Sequence, residues 1–280
     1  MIDMKNNILS IQSRVAYGFV GGNIADFILK LQGIDVISIP TVLLSTNAEN
    51  KKKCMGESLS YHFFSKLLKG VGLLDAFDDV NYIISGYFAD RNLMDATLLF
   101  LKKQKEEHTF KYICDPVMGD YRAGGLYVPR RVADYYVQKL IALADIITPN
   151  KFELEFILGK KIDTASQLHK EITDSTLLCG KTVVVTSAEL DDTEPNTIET
   201  IIVQDAKMTR VKAKKVDIEA IGTGDLFTSL MTSFLLRGKP LELAVSLTMD
   251  FVEKVVEYLK EQGRREMTSE SIVRFAKFIQ

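Results

Sequence analysis

Residues 82–117 read YIISGYFADRNLMDATLLFLKKQKEEHTFKYICDPV, and this stretch decides the fold class. Its two ends, Tyr82–Phe88 and Tyr112–Val117, are short apolar runs, and residues 92–107 between them have the pattern of an amphipathic helix. Apolar runs with little alternation are typical of parallel strands that are covered on both faces. The stretch therefore predicts a strand–helix–strand unit, the building block of a parallel sheet.

The same alternation continues along the rest of the chain. Further apolar runs are Asn7–Ser13, Val36–Ser45, Ile146–Pro149 and Val183–Ser187, and further amphipathic stretches are 22–32, 57–69, 130–143 and 164–177. After residue 190 the pattern predicts an antiparallel strand pair, Thr197–Gln204 and Thr209–Val216, and then helices at 223–237 and 241–262. Gly238 and Gly263 stand where C-terminal helix caps belong. We expect an α/β fold in one domain, 1–280, with a doubly wound, mostly parallel central sheet and helices on both faces.

Composition excludes several classes of protein. The 280 residues carry 35 basic and 37 acidic side chains, and their mixing along the chain argues against a nucleic-acid-binding face. No apolar run reaches the roughly 18 residues of a membrane helix, and the first residues lack the pattern of a secretion signal. The 3 cysteines form no Cys-x-x-Cys pair, which favours a cytoplasmic protein with buried thiols.

The sharpest chemical motif is Gly222-Thr223-Gly224-Asp225, at the start of a predicted helix. Glycines permit close approach of the backbone, and a helix N-terminus offers unpaired N–H groups to an anion such as a phosphoryl group. Asp225 is then placed to take the proton from an attacking hydroxyl. The alternative interpretation is a capped helix in which Asp225 only complements the helix dipole.

Other candidates stand where predicted strands end, which is where ligands bind in open α/β sheets. Asp115 follows the strand KYIC and is placed to face a ligand or Mg²⁺. The Gly-rich stretch YRAGGLYVP that follows has the composition of a mobile lid. Asn150 and Glu153 are candidates for contact with nucleotide phosphates and their magnesium, although a capping box explains the same spacing. Ser13, at the end of the first strand, is either a substrate contact or a helix cap.

In order along the chain, these stretches resemble the pyridoxal kinase family of the ribokinase-like superfamily. The resemblance runs from residue 8 to about 230 and rests on ILSIQSRVAYG, PTVLLS, SGY, CDPVMGD, LYVP, ADIITPNKFELE, VVVTS and GTGDLF. It implies a ribokinase-like fold and ATP-dependent phosphorylation of the 5′-hydroxymethyl group of pyridoxal, and of pyridoxine and pyridoxamine, in vitamin B6 salvage. It also implies Mg²⁺, K⁺ and a homodimer.

The resemblance also implies a role for individual residues. Asp225 is the expected general base, with Gly222, Thr223 and Gly224 as the anion hole. The expected contacts of the B6 ring are Ser13, Val20, Asn47 and Tyr87. The expected nucleotide contacts are Asp115, Asp120, Thr148, Asn150, Glu153, Thr186, Ser187 and Phe227. Asp115 and Glu153 are the expected Mg²⁺ residues, and Thr148 and Thr186 the expected K⁺ residues. Arg122 and Tyr127 belong to the expected lid, residues 119–128.

The chain departs from the family pattern only on the acceptor side. Arg14 stands where His or Gln is common, Gly22 where Asn is common, and the segment Thr46–Asn50 differs from the residues expected beside the ring. These departures leave the identity of the acceptor open. A kinase for a hydroxymethylpyrimidine, a catalytically idle binding module of the same fold and, less favoured, a sugar kinase are the alternatives.

Overall fold

The computed structural model describes residues 7–50 and 52–279. Residues 1–6, 51 and 280 of the predicted domain, 1–280, lie outside the described residues. The strands are β1 (Asn7–Val15), β2 (Asp35–Leu44), β3 (Gly56–Ser58), β4 (Val80–Ser85), β5 (Lys111–Cys114), β6 (Gly119–Asp120), β7 (Gly125–Leu126), β8 (Ile146–Ile147), β9 (Thr182–Ala188), β10 (Thr197–Gln204) and β11 (Lys207–Lys214).

Within these residues a nine-stranded sheet has the order β11-β10-β9-β8-β5-β4-β1-β2-β3. The six strands from β9 to β2 in this order pair in parallel, whereas β3, β10 and β11 add antiparallel edges. The predicted fold class is therefore confirmed, and so is the antiparallel pair after residue 190. β6 and β7 form a separate two-stranded hairpin.

The helices are α1 (Gly22–Leu31), α2 (Tyr61–Val71), α3 (Arg91–Glu107), α4 (Arg130–Tyr135), α5 (Ile141–Leu143), α6 (Lys151–Leu158), α7 (Ala165–Asp174), α8 (Thr223–Leu236), α9 (Leu241–Glu261) and α10 (Ser269–Val273). A π-helical turn, Tyr136–Leu140, joins α4 to α5. Gly238 and Gly263 end α8 and α9 with positive φ, as the sequence predicts. In the part of the chain that the structure describes, none of these helices is both long and apolar enough to cross a membrane.

The core lies in two layers, one on each face of the sheet. Val183 and Val185 of β9 point into the layer that holds α3 and α4, while Val184 between them points into the layer that holds α1 and α8. All three side chains are fully buried. Because successive strand residues face opposite sides, a strand covered on both faces is apolar throughout. This is the physical origin of the apolar runs in the sequence.

Several predicted boundaries and one prediction about the cysteines are wrong. The predicted run Tyr82–Phe88 is longer than the strand, which ends at Ser85; the Gly86 N–H still donates to the Ile11 carbonyl at 3.0 Å, and the chain then leaves the sheet. The predicted helix 57–69 begins only at Tyr61, since Glu57 belongs to the edge strand β3. Of the three thiols, Cys114 is buried, Cys54 is partly exposed and Cys179 is exposed.

The topology opens a crevice beside β1. The chain leaves β1 for β2 on one side, and later returns to β4 on the other side before continuing to β5, β8 and β9. Connections that leave in opposite directions create a cleft at the carboxyl ends of the strands. The residues that follow β1, β4, β5, β8 and β9 therefore gather at this edge, where the sequence predicts the site.

Candidate active site

The glycine-rich motif forms the N-terminus of α8. Gly222 is the N-cap residue with φ 84°, and a Cβ on it would lie 2.5 Å from the carbonyl oxygen of Phe19. Only glycine fits this position. The first intrahelical bond from this turn is donated by the N–H of Leu226. The N–H groups of Thr223 and Gly224 therefore have no partner within the helix and are free for an anion.

Asp225 lies in the first turn of α8 and is held from the opposite side of the cleft. Its Oδ2 accepts a hydrogen bond from the Gly21 N–H at 2.7 Å. Loss of hydration in the cleft raises the pKa of Asp225 to about 6, and the Gly21 bond opposes this rise. A carboxylate with this pKa is ionised at neutral pH and is basic enough to take a proton.

Gly21 is a site residue that the sequence analysis did not assign. Its φ is 52°, and a Cβ on it would lie 2.2 Å from Ser13 Oγ and 2.6 Å from the Ser13 carbonyl oxygen. The loop after β1 is thus packed directly on Ser13, the predicted acceptor contact. The sequence signal that could have identified Gly21 is the pair Gly21-Gly22 after the first strand. Of this pair, Gly22 was noted as a departure from the family pattern.

Asp115 lies in the same cleft, beyond the end of β5. Its Oδ2 accepts a hydrogen bond from the Thr228 hydroxyl at 3.0 Å, and Thr228 also lies 3.0 Å from the Thr148 hydroxyl. Burial, and then the negative charge of Asp225, raise the pKa of Asp115 to about 8. The two carboxylates are therefore close enough to repel each other, and a cation between them would relieve that repulsion.

Glu153 completes the buried acidic group and also closes a capping box. Its Oε1 accepts the Met118 N–H at 2.8 Å, and its Oε2 accepts the Asn150 N–H at 3.0 Å. The Asn150 side chain accepts the Glu153 N–H and donates to the Gly119 carbonyl, both at 2.9 Å. Burial and the charge of Asp115 raise the pKa of Glu153 well above its ordinary value. The capping box considered in the sequence analysis is confirmed, and it fixes the entrance to the lid.

The donor set fits a cation that is completed by phosphate oxygens. Across residues 7–50 and 52–279, no group of three or more His, Cys, Asp or Glu side chains could hold a metal ion alone. Mg²⁺ in phosphoryl-transfer sites uses one or two carboxylates together with substrate phosphates. Asp115 suits this arrangement, because within the described part of the chain its carboxylate accepts a hydrogen bond through Oδ2, which leaves Oδ1 available.

A cavity of about 560 Å³ adjoins the α8 N-terminus. Its polar lining includes these predicted nucleotide, anion-hole and lid residues: Asp120, Arg122, Asn150, Thr186, Ser187, Thr223 and Gly224. Phe227 and the apolar residues Val216, Ile218, Ala220, Met249, Val252 and Val256 form the opposite wall. Ser187 has φ 49°, at an irregularity in the β9–β10 pairing. Strained backbone at a ligand cavity is typical of functional sites.

The predicted lid is the β6–β7 hairpin with its loop. Tyr121 in this loop donates its hydroxyl to Glu155 and accepts a hydrogen bond from Lys161. Its ring also packs edge-on against Phe152, with the ring centres 5.4 Å apart. The sequence analysis placed Arg122 and Tyr127 in the lid but missed the contribution of Tyr121. The Tyr127 N–H donates to the Met118 carbonyl at 3.0 Å, and the Tyr127 side chain is 44% exposed.

Of the predicted acceptor contacts, Ser13 lies against Gly21 and Val20 against Gly222, close to Asp225. Val20 Cγ1 lies 3.2 Å from the position of a Cβ on Gly222, next to the anion-binding turn. The Tyr87 carbonyl accepts the Thr41 hydroxyl at 2.7 Å. Arg14 binds Asp26, and it also donates to Ser38 at 2.8 Å, so its guanidinium is engaged by α1 and β2. The Asn47 side chain is buried and hydrogen-bonded within the protein.

The chain is similar to known proteins over most of its length. The family model described as phosphomethylpyrimidine kinase matches residues 62–269. The pyridoxal kinase PdxY of Leifsonia xyli is 30% identical over 262 residues, which cover 93% of this chain and 92% of that protein. The pyridoxal kinase of Bos taurus is 32% identical over 81% of this chain and 76% of its own length.

Solved structures match over nearly the whole chain. The pyridoxal kinase of Leishmania donovani in complex with ADP and pyridoxamine has a TM-score of 0.85 and 26% identity, covering 98% of this chain and 95% of that one. The pyridoxal kinase of Entamoeba histolytica has the same TM-score at 24% identity, with coverage of 98% and 95%, and supports the fold alone.

Proposed function

Because the chain belongs to the pyridoxal kinase family, we propose that it transfers the γ-phosphoryl group of ATP to the 5′-hydroxyl of pyridoxal, giving pyridoxal 5′-phosphate and ADP. Pyridoxine and pyridoxamine are the related acceptors. One observation carries the proposal. Asp225 stands in the first turn of α8, beside the unpaired N–H groups of Thr223 and Gly224 and hydrogen-bonded to Gly21, whose loop packs on Ser13.

The transfer needs one bond to phosphorus to form and one to break, and residues of the cleft can assist both changes. The 5′-hydroxyl oxygen attacks the γ-phosphorus while the bond from that phosphorus to the β-phosphate bridging oxygen breaks. Asp225 takes the hydroxyl proton, for which its pKa of about 6 suits it at neutral pH. The N–H groups of Thr223 and Gly224 stabilise the negative charge of the phosphoryl oxygens. Positioning and charge stabilisation supply most of the rate in such reactions.

Two cations complete the proposal. Asp115 would hold Mg²⁺ together with the phosphates, and Glu153 would support that site while it fixes the entrance to the lid. Mg²⁺ when bound supplies neutralisation of phosphate charge. Thr148 and Thr186 would contribute to a K⁺ site close by. The Thr148–Thr228–Asp115 hydrogen-bond chain supports this proposal, because it holds three oxygen-bearing side chains together beside Asp225.

The nucleotide and the vitamer occupy opposite sides of Asp225 in this proposal. ATP lies in the cavity lined by Asn150, Thr186 and Ser187, with its base against the apolar wall. The vitamer ring lies between Ser13, Val20 and Tyr87. A hydroxymethylpyrimidine is the second candidate acceptor, and the phosphomethylpyrimidine kinase model that matches residues 62–269 favours its inclusion in any test.

The proposal extends to assembly and location. We propose a homodimer in the cytoplasm, built from one kinase domain per chain. Large apolar side chains are exposed on neighbouring elements at one edge of the sheet: Tyr17 at 74%, Leu43 at 55%, Met55 at 72% and Phe63 at 54%. Exposed apolar surface of this kind is typical of an interface. A Leu43→Lys variant should run as a monomer in light scattering if this edge is the interface.

The direct test is turnover of ATP with a panel of acceptors. Wild-type protein with Mg²⁺ and K⁺ is assayed with pyridoxal, pyridoxine, pyridoxamine and hydroxymethylpyrimidine, by coupling ADP release to NADH oxidation. We expect the B6 vitamers to be turned over and Asp225→Asn to lower kcat by about 100-fold or more. If only hydroxymethylpyrimidine is turned over, the proposed acceptor is wrong but the proposed mechanism stands. ATP binding without turnover of any acceptor would favour a binding module.

A further inference from the structure

The short segment of residues 264–267, between α9 and α10, lies against the back of the anion-binding turn. The Ile221 N–H donates to the Arg265 carbonyl at 2.9 Å, and Ile221 pairs with Glu266 as an isolated β-bridge. The terminal methyl group of Met267 lies 3.0 Å from the position of a Cβ on Gly222. A displacement of this segment would therefore move the turn that precedes Asp225.

The other side of the same segment holds the acceptor-side loop, residues 45–54, of which the structure describes 45–50 and 52–54. Asn47 in this loop is only 6% exposed, and its Nδ2 donates to Glu266 Oε1 at 2.8 Å. Its Oδ1 accepts the Glu49 N–H at 3.1 Å, which closes the turn of its own loop. Both ends of one buried amide are thus engaged, one within the loop and one across to Glu266.

The loop is also joined to elements that carry predicted ring contacts. The Ser45 carbonyl accepts the Tyr17 N–H at 3.1 Å, which joins the loop to the segment that carries Val20. The Cys54 thiol donates to the Thr46 carbonyl at 3.4 Å. Cys54 also lies close enough to Tyr87 to add to the rise in the pKa of Tyr87 that burial causes. Thr41 of β2, the strand that leads into this loop, donates its hydroxyl to the Tyr87 carbonyl at 2.7 Å, so the loop begins close to a predicted ring contact.

The Asn47–Glu266 hydrogen bond is the strongest connection in this group. Arg265 Nη2 lies 3.0 Å from Glu49 Oε2 and 3.0 Å from Glu219 Oε2, but the three side chains are about half exposed. Exposed ion pairs contribute little, because water and salt screen them. The hydrogen bond from the buried Asn47 amide to the partly exposed Glu266 carboxylate is charge-assisted and less exposed to water than these ion pairs, so its loss has the larger effect.

We propose that Asn47 and Glu266 are positioning residues that hold the acceptor loop against the segment behind the anion-binding turn. Asn47 then sets the affinity for the acceptor through the loop and not by contact with the ring. The inference rests on the proposed kinase function. It identifies a physical connection between acceptor binding and the turn that carries the general base.

The test exchanges the amide of residue 47 and the carboxylate of residue 266. In Asn47→Asp, a carboxylate faces Glu266 and repels it, while the acceptor for the Glu49 N–H is kept. In Asn47→Asp/Glu266→Gln, the new amide of Gln donates to the new carboxylate, and the hydrogen bond is restored in the opposite direction. Asn81→Asp is the matched control, because exposed Asn81 makes only a local bond to the Asp79 carbonyl.

We expect Asn47→Asp to lower kcat/KM for pyridoxal about tenfold, equivalent to about 1.4 kcal/mol, mainly through KM. The KM for ATP should change by less than about twofold, because Asn47 lies outside the nucleotide cavity. The double variant should recover most of the loss, and Asn81→Asp should match the wild type. Hydrogen exchange of residues 45–54 should be faster in Asn47→Asp and slower again in the double variant.

Several results would overturn the proposal. One is an Asn47→Asp variant with an unchanged KM for pyridoxal, and another is a double variant no better than Asn47→Asp. If neither variant folds, the hydrogen bond is a folding requirement and the proposed positioning role is wrong. If the wild type turns over no acceptor, the proposed function fails, and hydrogen exchange of residues 45–54 still decides whether the connection to Glu266 exists.

Discussion

The hydrogen bond from Gly21 to Asp225 predicts a measurable shift of the pH profile. The pKa of Asp225 is about 6, so the carboxylate that accepts the proton forms as the pH rises through 6. kcat/KM for pyridoxal should therefore increase along an acid limb with a midpoint near pH 6 and level off above it. kcat/KM rises with pH because protonated Asp225 cannot accept the proton of the acceptor hydroxyl.

Gly21→Ala is the perturbation that moves the donor. The new Cβ would lie 2.2 Å from Ser13 Oγ and 2.6 Å from the Ser13 carbonyl oxygen, so the loop after β1 must shift. Because the Gly21 bond lowers the pKa of Asp225, its loss should raise that pKa. A hydrogen bond to a charged group contributes about 1.5–3 kcal/mol, which corresponds to about 1–2 pH units.

The assay is kcat/KM for pyridoxal between pH 5 and 9, with the melting temperature as the check on folding. Gly22→Ala is the matched control, since its Cβ would lie 3.2 Å from the Ser13 carbonyl oxygen and the residue lacks a positive φ. We expect the acid limb of Gly21→Ala to move upward and that of Gly22→Ala to stay near 6. A folded, active Gly21→Ala enzyme with an unshifted limb would refute the reasoning.

Three further substitutions test other parts of the site. Asn150→Ala removes the capping box with Glu153, so the free energy of unfolding should fall by about 1 kcal/mol in urea titrations, and KM for ATP should rise. Thr228→Val removes the hydroxyl that donates to the Asp115 carboxylate and should raise the Mg²⁺ concentration for half-maximal activity about tenfold, the effect of losing one charge-assisted hydrogen bond; unchanged Mg²⁺ dependence would contradict the role of Asp115. Tyr121→Phe removes the hydroxyl that anchors the lid, and KM for ATP should rise about threefold with little change in melting temperature; an unchanged KM would mean that the anchor does not affect nucleotide binding.

The sheet could be predicted because it is covered on both faces. Val183, Val184 and Val185 must all be apolar when alternate residues enter different core layers, and this leaves a visible run in the sequence. β3 was missed for the opposite reason. Its residues Gly56–Ser58 lie at an edge and are mostly exposed, so their composition carries no strand signal.

The local geometry of the candidate site was predictable where it depends on neighbouring residues in the sequence. Asp225 follows its two glycines directly, and Asn150 and Glu153 form a box within one helical turn. Contacts between distant parts of the chain were not predictable from such patterns. The Gly21–Asp225 bond joins residues 204 positions apart, and the Asn47–Glu266 bond joins residues 219 apart. A single sequence carries no signal for such pairs, because each partner is satisfied only after the sheet has brought the segments together.

The central claim is that this cleft phosphorylates the 5′-hydroxyl of a B6 vitamer with Asp225 as the base. The most direct measurement is the formation of pyridoxal 5′-phosphate and ADP from pyridoxal and ATP, quantified together by chromatography and mass spectrometry. The wild type should form the two products in equal amounts. Asp225→Asn should form both at about one hundredth of the rate or less. Equal rates in the two proteins, or ADP release without pyridoxal 5′-phosphate, would contradict the account.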